Sequence, residues 1–362
     1  MSLSNVSPAS TSRARSKWFF GGSAAIIAGL LALAQPGWAE DAKPTAPAPA
    51  AVAEQCGGKD MIAELQAKEP DTYRRIMDAA SKTENTEALL WKVEKTGVPA
   101  SYLFGTIHMS DTRVSVLPAK AKAALDSAKT VALEVANTTD AGMMEAMGKV
   151  PDMIAYLDGK SLQGQLTAEE FEKVKALVSK AGLPGEAAAV VRPWLISILL
   201  AMSDCERQQM EAGKLALDSR IEADAKTRGA TVIGLETADS QLKAMASVPD
   251  DQQILMLKSS LAYADRTNDM IETMVQMYLN RKLGAAMPFQ KELAAKSGIK
   301  DTAFDGFNTI LLVDRNAKMR DAAKPLFDKG EAFVAVGALH LSGKTGLVSL
   351  LREAGFTVTA AD

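Results

Sequence analysis

The chain has 362 residues, of which 41 are Lys or Arg and 44 are Asp or Glu, giving a formal net charge of −3 at pH 7. That balance lacks the basic excess a nucleic-acid partner requires. Neither of the two cysteines has the CxxC spacing or the nearby histidine of a zinc cluster.

The first 39 residues read as a secretory signal. Arg13, Arg15 and Lys17 form a basic start, Trp18 to Ala34 is apolar, and Gly37-Trp38-Ala39 offers small residues at a cleavage point after Ala39. An uncleaved anchor is the rival reading, although a stretch this short and interrupted by glycine is at the lower limit for crossing a bilayer. Arg13 and Arg15 are not adjacent, which argues against a twin-arginine route, and Cys56 lies too far on to carry a lipid. Without the leader three positive charges and no negative ones are lost, so the net charge moves from −3 to −6, and no stable membrane span is expected. Residues 40–55, rich in Pro and Ala, predict an extended disordered tether. Residues 56–362 then form the folded part, long enough for one large domain or a core with an inserted subdomain.

Cys56 and Cys205 are an even pair in an exported chain, which favours one disulfide. Leu90 to Val93 and Tyr102 to Ile107 predict strands joined by a turn at Gly97 to Ala100. Leu117-Pro118 opens a helix running to about Lys129, and Thr130 to Val135 is the next strand. Thr167-Ala-Glu-Glu170 is a capping box for a helix to about Ala181, followed by helical patterns over Leu183 to Val191 and Pro193 to Asp204. A helix over Leu217 to Arg228 stops at Gly229 before the strand Thr231 to Glu236, and another helix starts near Ala238. The pattern stays helical from Asp250 to about Lys282 and again from Thr302 to Phe327. Met256, Met270, Met274 and Met277 recur in the first of these stretches; the plain reading is core packing, the functional one an apolar binding wall. A strand at Ala332 to Ala338, a turn to His340, a helix at Gly346 to Ala354 and a last strand at Phe356 to Ala360 complete the chain. Short apolar strands alternating with longer helices predict an α/β fold, a central and mostly parallel sheet flanked by helices, with a helical insertion between its parts.

Both histidines close the same short pattern: Gly105-Thr-Ile-His108 and Gly337-Ala-Leu-His340. With glycine at about 7% of residues, the chance that both histidines find one three positions back is about one in two hundred. His108, Glu134, Glu236 and His340 each interrupt or end an apolar strand, and ligands gather at the carboxyl ends of parallel strands. A lone buried glutamate costs several kcal/mol unless a cation or donors meet it, so either a metal or an arginine should be near. Two imidazoles with one or two carboxylates suit a divalent ion such as Zn, Mn or Co, with open positions for water. In that scheme His108, His340 and Glu134 are the metal ligands, and Glu236 handles the proton of the attacking water. Ser110, Asp111 and Ser342 follow the histidines closely and are candidates to orient them, or simply turn and capping residues. Arg315, within Val313-Asp-Arg-Asn316, would by itself be a solvated helix charge.

This arrangement resembles the TraB/GumN family, which includes the animal TIKI proteases. The resemblance rests on Leu103-Phe-Gly-Thr-Ile-His108-Met-Ser-Asp111, Ala132-Leu-Glu134, Gly234-Leu-Glu-Thr237 with Gln241, Asp314-Arg-Asn316 and Gly337-Ala-Leu-His340, in family order, and covers Cys56 to the C-terminus. It implies a one-domain α/β fold with helical insertions, a site formed by His108, His340, Glu134 and Arg315, and, in the TIKI branch, divalent-metal-dependent proteolysis. Arg315 thereby becomes a candidate to hold a substrate carboxylate or the charge of a tetrahedral intermediate. The wider superfamily is also similar to erythromycin esterases, in which histidine acts as a base without metal, and to a haem-binding group. Three functions are therefore expected to compete: a metal-dependent hydrolase of peptides or small molecules, a metal-independent esterase-like hydrolase, and a non-catalytic protein for haem or another apolar ligand.

Overall fold

The computed structural model describes residues 56–137 and 140–362; the leader and tether expected over residues 1–55 lie outside them. Six strands form one sheet: β1 (Leu90–Lys95), β2 (Val98–Thr106), β3 (Thr130–Leu133), β4 (Thr231–Gly234), β5 (Ala332–Gly337) and β6 (Thr357–Ala360), in the order β4-β3-β5-β2-β1-β6. The β3/β4, β3/β5 and β2/β5 pairs are parallel, while β1 runs antiparallel to both β2 and β6. The fold is therefore α/β with a mostly parallel sheet.

Side chains on successive strand residues point to opposite faces, and the core divides accordingly. Phe104, Val131, Leu133, Phe333 and Ala335 pack on one face with Ala121, Leu125, Ile221 and Val275, from the helices Ala119–Ser127, Leu217–Thr227 and Thr267–Leu279. Leu103, Ala132, Val334 and Val336 pack on the other with Met319, Phe327 and Leu351, from the helices Asp314–Lys329 and Leu347–Glu353. With both faces covered, β5 is buried along all of Ala332–Val336, as a central parallel strand should be.

A separate cluster makes the helical insertion. Phe171, Val174 and Val178 of the helix Ala168–Lys180 pack with Leu195 and Leu199 of Pro193–Ala201 and with Leu257 of Asp250–Ala262. Thr167 and Glu170 form the reciprocal capping box that the sequence predicts. Residues 183–191 do not form the expected α-helix. Pro184 supplies a short 3-10 turn at Gly185–Ala189, and Val191 leaves it to bridge Ala155. The chain over Phe307–Val313 is a π-helix that runs directly into Asp314–Lys329. The methionines behave as core: Met277 is buried, Met270 and Met274 pack against the N-terminal helices, and Met256 packs beside Ile299 and Phe304.

Cys56 and Cys205 are joined in a disulfide with Cα atoms 5.5 Å apart. Among the described residues no helix is long and apolar enough to cross a membrane.

Candidate active site

β2 and β5 are parallel neighbours in which Gly105 pairs with Val336 and Thr106 with Gly337, so the two Gly-x-x-His motifs leave the sheet side by side. The glycines make that possible. A Cβ on Gly105 would meet Leu341 Cδ1 at 2.7 Å and Ala338 Cβ at 2.9 Å, so any side chain there would push the second motif away. A Cβ on Gly337 would meet Glu134 Oε1 at 3.1 Å, His108 Nε2 at 3.5 Å and His340 Cδ2 at 3.6 Å. The bare backbone of Gly337 is thus the floor of a cradle on which both imidazoles and one carboxylate converge. Since β2, β3, β4 and β5 all run the same way, His108, Glu134, Glu236 and His340 lie at one carboxyl rim.

Arg315, at the start of the helix Asp314–Lys329, ties the acidic side together. Its Nη2 donates to Glu134 Oε2 at 2.6 Å and to Glu236 Oε2 at 2.6 Å, and its Nε donates to Glu236 Oε2 at 2.9 Å. All three side chains are buried, with exposures of 7% or less. Glu134 also accepts from the Gly337 N–H at 2.6 Å and from Gln241 Nε2 at 3.3 Å. The buried charge that the sequence left without a partner is therefore met by a guanidinium, a backbone donor and an amide.

The histidines differ in setting. His340 is buried, its Nδ1 lying 2.7 Å from Asn316 Oδ1 and its Nε2 3.6 Å from Glu134 Oε1 and 3.4 Å from Arg315 Nη1. Asn316 Nδ2 donates to the Thr345 carbonyl at 2.8 Å. Because that carbonyl can only accept, the Asn316 oxygen faces His340, Nδ1 carries the ring proton, and a lone pair is left on Nε2. His108 is open to solvent, its side chain 55% exposed. Its Nδ1 is 2.7 Å from Asp218 Oδ2, and Asp218 Oδ1 accepts from the Thr106 hydroxyl at 2.6 Å.

These settings separate the two rings electrostatically. The Asp218 charge outweighs desolvation and raises His108 from 6.5 to about 9, whereas burial lowers His340 to about 4. Burial would raise the Glu134 carboxyl, but the charges of His340, His108 and Arg315 and the Gly337 N–H hold it at about 2. Because burial keeps His340 neutral near pH 7, the guanidinium is the lasting counter-charge at the buried end of the site.

Ser110 and Asp111 lie close to His108 in the chain but turn away from it. The Ser110 N–H donates to Glu206 Oε1 at 2.6 Å and its hydroxyl to Gln209 Oε1 at 3.2 Å. Asp111, fully buried, accepts from Arg113 and from the Cys56 backbone. Both residues thus anchor the loop after His108 to the disulfide region, where Gln209 Nε2 lies 3.2 Å from Cys56 Sγ. Ser342 is half-buried in the turn after His340. Asp218 escaped the sequence reading altogether, because an acid in the first turn of a helix is already explained by the helix dipole. Asn316 and Gln241 stood in the motifs without an assigned role.

Among the described residues no group of three or more His, Cys, Asp or Glu side chains is set to hold a metal ion as it stands. His108 Nε2 and Glu134 Oε1 border the cradle above Gly337, His340 Nε2 lies 3.6 Å from Glu134 Oε1, and each ring's Nδ1 is held by an oxygen, as is usual for metal-ligating histidines.

Uncharacterized protein YbaP of Shigella flexneri is 23% identical over 253 residues, spanning 70% of this chain and 88% of that protein. The Metalloprotease TIKI homolog of Nematostella vectensis is 22% identical over 328 residues, spanning 78% of this chain and 68% of its own length. Metalloprotease TIKI1 of Danio rerio is 22% identical over 316 residues, spanning 75% of this chain and 62% of its own length. No solved structure matches the chain significantly. The model of the TraB/PrgY/gumN family matches residues 89–360, a span that holds both Gly-x-x-His motifs, Glu134, Glu236 and Arg315, and the chain belongs to that family.

Proposed function

We propose that this chain is an exported hydrolase of peptide bonds, its site the rim cluster of His108, Glu134, Glu236, Arg315 and His340, and that it takes a divalent ion such as Zn, Mn or Co. The observation that carries the reading is the cradle above Gly337, on which two imidazoles and a carboxylate from three neighbouring strands converge. Membership of a family with relatives named metalloproteases supports the peptide-bond chemistry. A leader-like N-terminus and the Cys56–Cys205 disulfide support export.

His108 Nε2, His340 Nε2 and Glu134 Oε1 are the atoms that would hold the ion, and when bound it supplies an acidified water and polarises the scissile carbonyl. The chain's own groups do the rest. Arg315 fixes Glu134 and Glu236 and offsets part of their charge, and it is one of the groups that keep Glu134 ionised while buried. Its Nη1, on the His340 side, brings positive charge to where a tetrahedral oxyanion would develop. Loading the site requires His108 to give up its proton, so binding should strengthen as pH rises.

A metal-free hydrolase is the second reading, and the His108–Asp218 pair favours it, since an exposed imidazole backed by a carboxylate is a strong general base once it has lost its proton, so that this activity should rise toward pH 9. Purified full chain, stripped with EDTA and reloaded with Zn, Mn or Co, should regain hydrolysis of a fluorogenic peptide library and bind about one ion. His340→Ala should abolish both. Hydrolysis that persists undiminished through chelation would transfer the chemistry to His108 and Asp218. No hydrolysis under any loading would remove the hydrolase reading.

A further inference from the structure

We infer that Asp218 is the positioning residue of His108, the group that decides which ring nitrogen presents a lone pair to the site. The inference deepens the hydrolase reading and rests on it for its kinetic consequence only. Asp218 occupies the first turn of the helix Leu217–Thr227, whose N-cap residue Ala216 makes no side-chain cap. An acid there would ordinarily answer the helix dipole, yet both of its oxygens are directed at the end of β2. Oδ1 accepts from the Thr106 hydroxyl at 2.6 Å and Oδ2 lies 2.7 Å from His108 Nδ1.

Two further contacts hold that geometry. The Leu217 N–H donates to the Met109 carbonyl at 3.2 Å, which ties the helix start to the residue after His108. Tyr278 donates its hydroxyl to the Gly105 carbonyl at 2.8 Å, which fixes the strand end from the other side. A carboxylate only accepts, so its partner Nδ1 must carry a proton. In the neutral ring the lone pair is then on Nε2, the atom facing the cradle above Gly337. Asn316 does the same for His340 through an amide oxygen, so the two rings present matching nitrogens, but only Asp218 does so with a full charge and through a side chain that Thr106 prevents from rotating.

The chain has two histidines, which makes the test clean. Long-range proton–nitrogen spectra of the 15N-labelled full chain, recorded on the alkaline side where both rings are neutral, show two imidazoles, and His340→Gln identifies which is His108. The wild type should show His108 with the proton on Nδ1. In Asp218→Leu no acceptor is left at Nδ1, so the proton should move to Nε2 and the two nitrogen shifts should exchange places. Thr106→Val should leave the proton on Nδ1. In hydrolysis of the fluorogenic library, Asp218→Leu should lower kcat/KM by at least about 10-fold, the usual cost of losing a partner behind a working histidine, with part of it restored in Asp218→Glu. A wild-type His108 that carries its proton on Nε2, or an Asp218→Leu protein that keeps it on Nδ1, overturns the proposal. A wild type that hydrolyses nothing but shows the expected exchange leaves Asp218 in place and removes the hydrolase reading instead.

Discussion

Replacing Arg315 by methionine removes the cation from two buried carboxylates while keeping much of the side-chain length. Glu236 would lose both hydrogen bonds it receives from the guanidinium, and Glu134 would keep only the Gly337 N–H and Gln241. Breaking a buried ion pair from one side costs about 3 to 5 kcal/mol. The same loss lowers Tm by roughly 6 to 15 °C for a domain of this size. The pH dependence is the sharper test. In the wild type Glu134 is held below its ordinary value, so its contribution is complete above about pH 4.5 and is lost as pH falls toward 2. Without the guanidinium, the charges of His340 and His108 and the Gly337 N–H still act on the carboxyl but oppose burial less, so it rises and the variant takes up protons at pH values where the wild type does not. The stability gap between the two should therefore narrow by about 1 to 3 kcal/mol between pH 8 and pH 4.5. Urea unfolding followed by tryptophan fluorescence, with Trp91 fully buried as a reporter, measures both ends. A gap under about 1 kcal/mol at pH 8, or one that does not change with pH, would mean that Arg315 is not the counter-ion described above.

The two imidazoles of the metal-free chain should titrate on opposite sides of 6.5, His108 near 9 and His340 near 4; proton NMR of the ring Cε1–H signals reads both, and two midpoints near 6.5 would contradict the contacts drawn here. The signs for stability follow from linkage: the His108–Asp218 interaction is complete below 6.5 and fades as pH rises through 9, while burial of neutral His340 costs stability as pH falls from 6.5 toward 4. Replacing Cys56 and Cys205 together by serine should cost about 4 to 5 kcal/mol in urea unfolding, the loop-closure value for so distant a pair. Gly105→Ala should cost about 1 to 3 kcal/mol from overpacking against Ala338 and Leu341. Gly337→Ala should instead show a smaller stability loss with a larger activity loss, because its Cβ enters the cradle between Glu134 and His108; equal activity in wild type and Gly337→Ala would sink the assignment of that cradle.

Much of the site was legible because it lies at places where sequence rules are strong. A glutamate closing a run such as Val131-Ala-Leu133 is costly without a partner, and histidines that end two similar apolar strands invite comparison. The capping box at Thr167 and the cysteine pair are signals of the same short-range kind. What was not legible depends on contacts between distant segments. Asp218 meets His108 across 110 residues, and nothing in Leu217-Asp-Ser-Arg distinguishes it from an ordinary helix start. Ser110 and Asp111 follow His108 directly, yet their partners are Glu206, Gln209, Arg113 and Cys56, and adjacency in the chain suggested the wrong neighbour. The helix expected over residues 183–191 failed because Pro184 and Gly185 hold the segment to a single tight turn.

The position of β5 bears on how the molecule is made. It is the strand between β3 and β2, yet it is contributed by residues 332–337, after β1 to β4 have all been passed. A chain still emerging therefore holds two unconnected half-sheets, each with a raw parallel edge, until residues 332–337 follow. The floor of the cradle at Gly337 and the second imidazole arrive with that same segment. Assembly of the sheet and assembly of the chemistry are thus one late event, and a product truncated before residue 332 should be both inactive and prone to aggregate.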